Sequence, residues 1–489
     1  MSSWLQKQVN ERPDHPAFYW QDEVWSFFEV AEEVQKWAAE YSANIPQTEK
    51  RIALFSRNSK EMYFSILALW ELGKEIVFLN THLSLQELQY QLTDAKVKIV
   101  ITATEYLSVV ANLNQVNILE MKRGDVSVLD QKQMELNYQL EMPASIMYTS
   151  GTTGKPKGVV QRFSNHLASA LGTQENMGIT AADCWLCPVP LFHISGLSIV
   201  IRQLVLGCSF RLYSKFDAKN TTKDLTEGRG TVISVVAVML RELLEYYPKE
   251  GYSKEFKAML LGGGPIAPAA LEQCERNKIP VIQSYGMTET CSQVVALSFE
   301  DASKKIVSAG KPLKDMQIKI IAENGKQAPA NNVGEILLKG KNVIQNYLNG
   351  EQWQTEKWTA DGWFKTGDMG YLDNEGYLYL VSRLSELIIS GGENIYPTEI
   401  EHILQEFPGV KEVAVIGESD QKWGAVPVAY IVGDPTITIE KINEFAKQHL
   451  AKYKCPKRLY LCNCLPRTAS GKLAKHRLTT EEREAFLSK

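Results

Sequence analysis

Between Tyr148 and Gly158 the chain reads YTSGTTGKPKG, setting small, hydroxyl-bearing and glycine residues against two lysines. Backbone N–H groups and hydroxyls in such a loop can close on an anion while a lysine supplies charge, so the chemistry on offer is phosphate binding. A flexible surface turn has the same composition. The spacing is not that of a Walker A loop, because Lys157 follows Pro156 and precedes Gly158. Further polar clusters follow at Gly262-Gly263-Gly264-Pro265, Ser284-Tyr285-Gly286-Met287-Thr288-Glu289-Thr290, Thr366-Gly367-Asp368, Arg383, Gly391-Gly392-Glu393-Asn394 and Pro466-Arg467-Thr468-Ala469-Ser470-Gly471-Lys472. Taken singly, each has an ordinary explanation: Glu289 as a solvated carboxylate, Asp368 as a turn residue, Arg383 as half of an ion pair, Lys472 as a solvated loop lysine. His193, between Phe192 and Ile194, reads equally as a packed core residue.

These clusters need elements to position them. KRIALFS, KEIVFLN and KVKIVIT read as strands, with SKEMYFSILALWELG and SLQELQYQLTDA as helices between them, and that alternation predicts parallel sheet with crossover connections. Val30, Val34, Trp37 and Tyr41 share one face of an earlier helix. SIMYTS, TVISVV, AMLLGG and PVIQSYG are further short strands, several ending in the Gly and Ser-Thr clusters. Ligands in open α/β sheets gather beyond the carboxyl ends of strands, so these loops are expected to converge. The first strand ends in SRNSK, which argues against a dinucleotide fingerprint. After Gly310 shorter strands and turns predict a β-rich subdomain. Past Arg383, IISGG, the helix YPTEIEHILQEF, the strands VKEVAVIG and VPVAYIVG, the helix TIEKINEFAKQHLAKY and the strand RLYLCN form a small α+β unit. A boundary at 383–386 divides the chain into residues 1–383 and 384–489.

The 53 Lys and Arg against 57 Asp and Glu leave a net charge of −4, which excludes a chain-wide nucleic-acid surface; any anion is bound locally. Lys7, Glu11, Arg12 and Asp14 interrupt the place where a secretory signal needs an apolar core. No apolar run reaches the roughly 18 residues of a membrane span, so a cytoplasmic location is expected. The pairs Cys184/Cys187 and Cys462/Cys464 lack a clear His partner, and reduced thiols are the expected state.

In order along the chain, YTSGTTGKPKG, PLFHISG, LLGGGP, SYGMTET, TGD, ISGGENIYPTEIE and LPRTASGKL closely resemble the motifs of the adenylate-forming superfamily of acyl-CoA synthetases, luciferases and carrier-loading adenylation domains. The resemblance covers essentially the whole chain. LFHISGLS, SYGMTETCSQ and SGGENIYP are most similar to the branch of acyl-CoA synthetases that activates o-succinylbenzoate in menaquinone biosynthesis. The resemblance implies an α/β fold: a large N-terminal domain of parallel αβ-layered sheets with a β-rich subdomain, and a small mobile α+β C-terminal domain. It also implies an AMP-forming ligase, in which a carboxylate attacks the α-phosphate of ATP, pyrophosphate leaves, and CoA takes the acyl group from the adenylate. Carried over residue by residue, Thr149, Ser150, Gly151, Thr152, Thr153 and Lys157 would wrap the β- and γ-phosphates. Glu289 would hold Mg²⁺ together with phosphate oxygens, and Thr288 would bond the α-phosphate. Asp368 would accept the ribose hydroxyls and Arg383 would contact ribose or phosphate. Gly262, Gly263, Gly264 and Pro265 with Ser284, Tyr285 and Gly286 would form the adenine wall. Lys472 would bridge the attacking carboxylate and the α-phosphate, Gly391 and Gly392 would line a pantetheine passage, and His193 would gate it. Ser385 falls at the hinge position, where relatives often carry Asp or Lys.

By the same resemblance the acyl pocket draws on SVVAVML, on His193 to Gly196, and on the glycine turn and the turn from Ser284 to Thr288. The second carboxylate of o-succinylbenzoate needs a cation or several donors; Arg202 is a candidate, although an Arg on a helix is more often a surface charge. The alternatives are another aryl- or acyl-CoA ligase, an adenylation enzyme loading a separate carrier protein, and an inactive nucleotide-binding scaffold. The chain ends TTEEREAFLSK soon after Lys472, so no fused carrier is expected. Its expected partners are a small carboxylic acid, ATP and CoA, and both a monomer and a homo-oligomer remain open.

Overall fold

A computed structural model of the protein describes residues 3–123, 139–149, 156–263, 268–391, 393–468, 473–479 and 481–487. One six-stranded sheet runs in the order 117–120, 99–102, 51–55, 75–78, 143–149 and 157–162. All neighbours are parallel except the last two, which form an antiparallel hairpin. The helices Lys60–Glu71 and Leu85–Asp94 are the crossovers that the alternating pattern predicts. Their starts are set locally. Ser59 accepts the Met62 N–H, and Ser84 and Glu87 form a reciprocal capping box. Ile52, Ala53, Leu54 and Phe55 are all buried, as a parallel strand covered on both faces requires.

A nine-stranded sheet runs 311–312, 292–296, 281–287, 258–261, 232–235, 184–187, 209–212, 16–20 and 23–26. Its six central strands, from 281–287 across to 16–20, are parallel. The pairing of Pro16–Trp20 with Ser209–Leu212 joins residues far apart in the chain. Helix Phe27–Asn44 follows, opened by a Ser26/Glu29 capping box, and it buries Val30, Val34, Trp37 and Tyr41 as its spacing predicts.

The β-rich part is a four-stranded antiparallel sheet of Gln317–Ile321, Gly334–Lys339, Phe364–Leu372 and Leu378–Arg383. Beyond it, a five-stranded sheet is built on the long hairpin Val410–Asp420 and Gly424–Gly433, with Arg458–Leu461 parallel to the second arm. This last sheet and the helices Pro397–Gln405 and Ile439–Ala446 enclose an apolar core of their own, including Ile395, Ile400, Leu404, Val415, Ile431 and Ile442. The observed fold is the α/β architecture with a β-rich part and a C-terminal α+β part expected from the sequence.

Two local expectations change. The helix expected to run to Tyr453 stops at Ala446, where the His449 and Leu450 N–H groups both turn back to the Ala446 carbonyl. Arg202, expected on the surface, is 1 % exposed within the helix Ile194–Leu206. All eight cysteines are free thiols. Among the described residues no helix is long and apolar enough to cross a membrane.

Candidate active site

The hairpin 143–149/157–162 sets Thr149 opposite Lys157 and Tyr148 opposite Gly158. Its connecting loop therefore leaves the carboxyl end of a parallel strand. Ser150, Gly151, Thr152 and Thr153 lie outside the described residues, as do Gly264, Pro265, Gly392 and Lys472. Lys157 is described and is only 3 % exposed; among the described residues its Nζ has no hydrogen-bond partner. The ammonium lies 4.5 Å from the ring centroid of Trp353 and 5.7 Å from that of Tyr347. Burial pushes the Lys157 pKa down, with Glu356 pulling the other way. A dry ammonium with its donors unused is costly until an anion meets it.

The strand Val281–Met287 and the single turn Thr288–Thr290 carry the next groups. The Ser284 hydroxyl donates to the Leu261 carbonyl at 3.0 Å, joining this strand to the turn at Gly262 and Gly263. At Gly286 the register with Ser292–Ala296 shifts, and a Cβ there would lie 2.0 Å from the Ser292 carbonyl oxygen, so no side chain fits. Glu289 accepts the Tyr347 hydroxyl on Oε1 at 3.0 Å, while its main-chain oxygen accepts the Ile344 N–H. Thr288 is held from behind by a buried polar chain. Ser145 donates to Gln161 Oε1 at 2.6 Å, and Gln161 Nε2 donates to the Thr288 carbonyl at 2.7 Å. The single Ser145 proton is thereby used, so His166 Nε2, at 2.9 Å, is the donor to Ser145 Oγ. Burial pulls the His166 pKa down to about 3, which keeps this ring neutral.

Asp368 sits on Phe364–Leu372 opposite Arg383 of Leu378–Arg383. Its Oδ2 accepts the Tyr285 hydroxyl at 2.7 Å and its Oδ1 lies 3.5 Å from Arg383 Nε. Burial, then the Asp368 charge, pushes the Tyr285 pKa up, so that phenol remains a donor. Ser284, Tyr285, Asp368 and Arg383 thus form one contact chain, and Lys157, Tyr347 and Glu289 form another. The strand and turn from Val281 to Thr290 contribute to both.

The remaining expected residues lie elsewhere. His193 precedes the helix Ile194–Leu206, its ring 4.8 Å from that of Phe192. Gly391, at φ +60°, lies beneath the Trp423 ring, which a Cβ would meet at 2.7 Å. Ser385 lies in the single turn Leu384–Glu386. Arg202 donates to Ser292 Oγ at 3.0 Å and Gln293 Oε1 at 2.8 Å and stacks on Trp185. Sequence reasoning missed Gln161, Tyr347 and Trp353. A lone glutamine in the apolar strand KGVVQR is a visible signal for the first, since a buried amide requires partners. The two aromatic residues carry no comparable signal.

A hidden ammonium at the start of one strand, a carboxylate with one oxygen already held in a single turn, and an aspartate against a tyrosine on a third element together offer groups that suit a polyanion and a metal on an α/β fold. The chain belongs to the AMP-binding enzyme family: residues 5–348 match the family's AMP-binding enzyme model and residues 399–472 its C-terminal domain. It is 67 % identical over 485 residues to the 2-succinylbenzoate–CoA ligase of Enterococcus faecalis, covering 99 % of each chain. Among solved structures it resembles o-succinylbenzoate CoA synthetase from Bacillus subtilis in complex with the acyl-adenylate intermediate OSB-AMP, with a TM-score of 0.91 at 38 % identity over 98 % of each chain. The same Bacillus enzyme with ATP and a magnesium ion gives a TM-score of 0.90 at 37 % identity, over 98 % of this chain and 100 % of that one.

The depressed pKa of Lys157 has a kinetic signature. As pH rises through it the ammonium loses its proton and with it the charge that a polyanion would meet, so kcat/KM for ATP should fall on the alkaline side below the ordinary lysine value of about 10.4. In Lys157→Arg the guanidinium stays charged, so that decline should move upward or vanish even if activity is lower throughout. An identical alkaline limb in both enzymes would assign it to another group.

Proposed function

We propose that this chain activates o-succinylbenzoate with ATP, forming its acyl adenylate and releasing pyrophosphate, and then passes the acyl group to CoA. The observation that carries the nucleotide half of this reading is the buried Lys157 ammonium, which has no hydrogen-bond partner among the described residues. Its relationship to 2-succinylbenzoate–CoA ligases over the length of the chain supports the choice of acid.

The chemical difficulty is that a carboxylate must approach a polyphosphate. Positioned positive charge and oriented donors lower that barrier, and no protein nucleophile is needed. Lys157, with Thr149 and the loop Ser150 to Thr153, is assigned to the β- and γ-phosphates. Glu289 has one carboxylate oxygen bonded to Tyr347 and the other left for a hard cation. Mg²⁺ bound there and by phosphate oxygens would neutralise charge on the departing pyrophosphate. Thr288, its carbonyl fixed by Gln161, is assigned to the α-phosphate. Asp368 is assigned to the ribose hydroxyls, with Arg383 beside it; Gly262 to Pro265, Ser284, Tyr285 and Gly286 are assigned to adenine. Lys472 supplies the charge between the two reacting anions.

Arg202 is assigned to the second carboxylate of the acid. It is buried, burial pulls its pKa down to about 10, and among the described residues it pairs with no carboxylate. Its contacts with Ser292 and Gln293 are neutral ones.

The domain boundary is placed at 383–386, with Ser385 as hinge and residues 384–489 as a mobile unit. Contacts across it include the ion pair of Arg241 with Glu412 and the bond from Asn394 to Glu323. Polar contacts of this kind leave relative motion as the default expectation. Lys472 would serve the first step, and after rotation Gly391 and Gly392 would line the pantetheine passage with His193 at its mouth. The proposed location is the cytoplasm, where ATP and CoA are held.

Incubation of the enzyme with ATP, Mg²⁺, CoA and a panel of carboxylates, scored separately for pyrophosphate and thioester, tests the whole reading. Turnover should be confined to o-succinylbenzoate; turnover with simple benzoates and none with it would replace the acid, and silence with every acid would favour an inactive scaffold. Lys472→Ala should lose on the order of 10²-fold in pyrophosphate release while thioester formation from supplied adenylate suffers much less. Equal losses in both half-reactions would refute its role. Arg202→Met should raise KM for o-succinylbenzoate on the order of 10²-fold, the scale of a truncated buried charge pair, and leave KM for ATP nearly unchanged. An unaltered KM for the acid would place the second carboxylate elsewhere.

A further inference from the structure

Lys157 is more than nine-tenths buried, and among the described residues its ammonium has no hydrogen-bond partner. What faces it is aromatic: Trp353 at 4.5 Å and Tyr347 at 5.7 Å, the two rings themselves meeting edge to face at 5.9 Å and 85°. Both come from the segment that follows the β-strand Gly334–Lys339, not from the hairpin that carries the lysine. That segment is tied to the hairpin by the Leu348 N–H to the Gly158 carbonyl at 2.7 Å and by a bridge between Val159 and Tyr347. Gly350 lets Trp353 fold back over Tyr347, because a Cβ there would lie 2.7 Å from Tyr347 Cβ and 3.2 Å from the Trp353 ring.

Glu289 and Glu356 act on Lys157 through space, yet among the described residues neither forms an ion pair with it. The Tyr347 hydroxyl holds Glu289 Oε1 while the face of the same ring turns to Lys157. An aromatic face attracts an ammonium without taking any of its N–H donors in a directional bond. A carboxylate would take them, and ATP would then have to displace it.

On the assignment of Lys157 to the ATP phosphates, we propose that Trp353 is a positioning residue for ATP: with Tyr347 it forms an aromatic rest that holds the Lys157 ammonium charged, dry and unpaired, and keeps it from collapsing onto Glu289. The site then meets the nucleotide with its phosphate cation unclaimed by its metal carboxylate, and Trp353 acts on ATP through Lys157 alone.

Mg-ATP affinity of the full chain, measured by calorimetry without the acid for Trp353→Leu, Trp353→Phe, Lys157→Met and Lys157→Met/Trp353→Leu, tests this, with the thermal midpoint of each variant recorded alongside. Trp353→Leu should weaken ATP about tenfold and Trp353→Phe no more than about threefold, as expected for a desolvated cation–π contact that a smaller ring partly restores. In the Lys157→Met background the leucine substitution should cost nothing further, because the pair acts as a unit. CoA utilisation from supplied acyl adenylate should not change. The same loss in both backgrounds would make Trp353 a packing residue only, and no loss from Trp353→Leu while Lys157→Met weakens ATP would also overturn the inference. Unaltered ATP affinity in Lys157→Met would instead bring down the phosphate assignment of Lys157, and the inference with it.

Discussion

A positive charge kept dry, with no counter-ion among the described residues, sets the terms for the rest of the site. Removing an ammonium from water costs several kcal/mol unless something replaces its hydration. Around Lys157 the chain supplies ring faces, and the nearby Glu289 is occupied by a tyrosine hydroxyl. This accounts for the packing of residues 340–358 against a hairpin almost two hundred positions earlier. The segment belongs to neither large sheet, but without it Lys157 would be a solvated lysine beside a glycine turn. Lys157 would then pair with whichever carboxylate came near.

Strand Val281–Met287 and its turn impose a second constraint by joining the Asp368 contact chain to the Glu289 one. Tyr285 meets Asp368, and Glu289 meets Tyr347 four residues later. That short span must hold its shape, and the chain His166, Ser145, Gln161 and the Thr288 carbonyl braces it from inside the core. The chain carries no net charge, so it braces the turn without adding to the local field. A buried network of this sort is worth most when every member is satisfied. Here the one unbonded atom is His166 Nδ1, an acceptor on a neutral ring.

The parts of the molecule meet differently from the way each is built. Within a part, apolar residues are enclosed on both sides of a sheet. Between Arg241 and Glu412, and between Asn394 and Glu323, the contacts are polar and partly solvated. Such pairs are typically worth about 0–1 kcal/mol, little enough to be exchanged for other contacts. An enzyme that performs two different reactions at one centre has use for such a seam.

Local pattern determined much of this protein by itself. The face Val30, Val34, Trp37 and Tyr41 and the strand–helix alternation were legible because their causes act over a few residues. The ordered glycine, hydroxyl and lysine motifs likewise disclosed the family, since a phosphate-binding loop is a contiguous piece of chain. Only the tertiary structure decided that Arg202 is buried, that Tyr347 and Trp353 cover Lys157, and that Gln161 holds the Thr288 carbonyl. Each of these is a meeting of segments far apart in sequence, and residue type alone does not state which distant surface will exclude water from a charge.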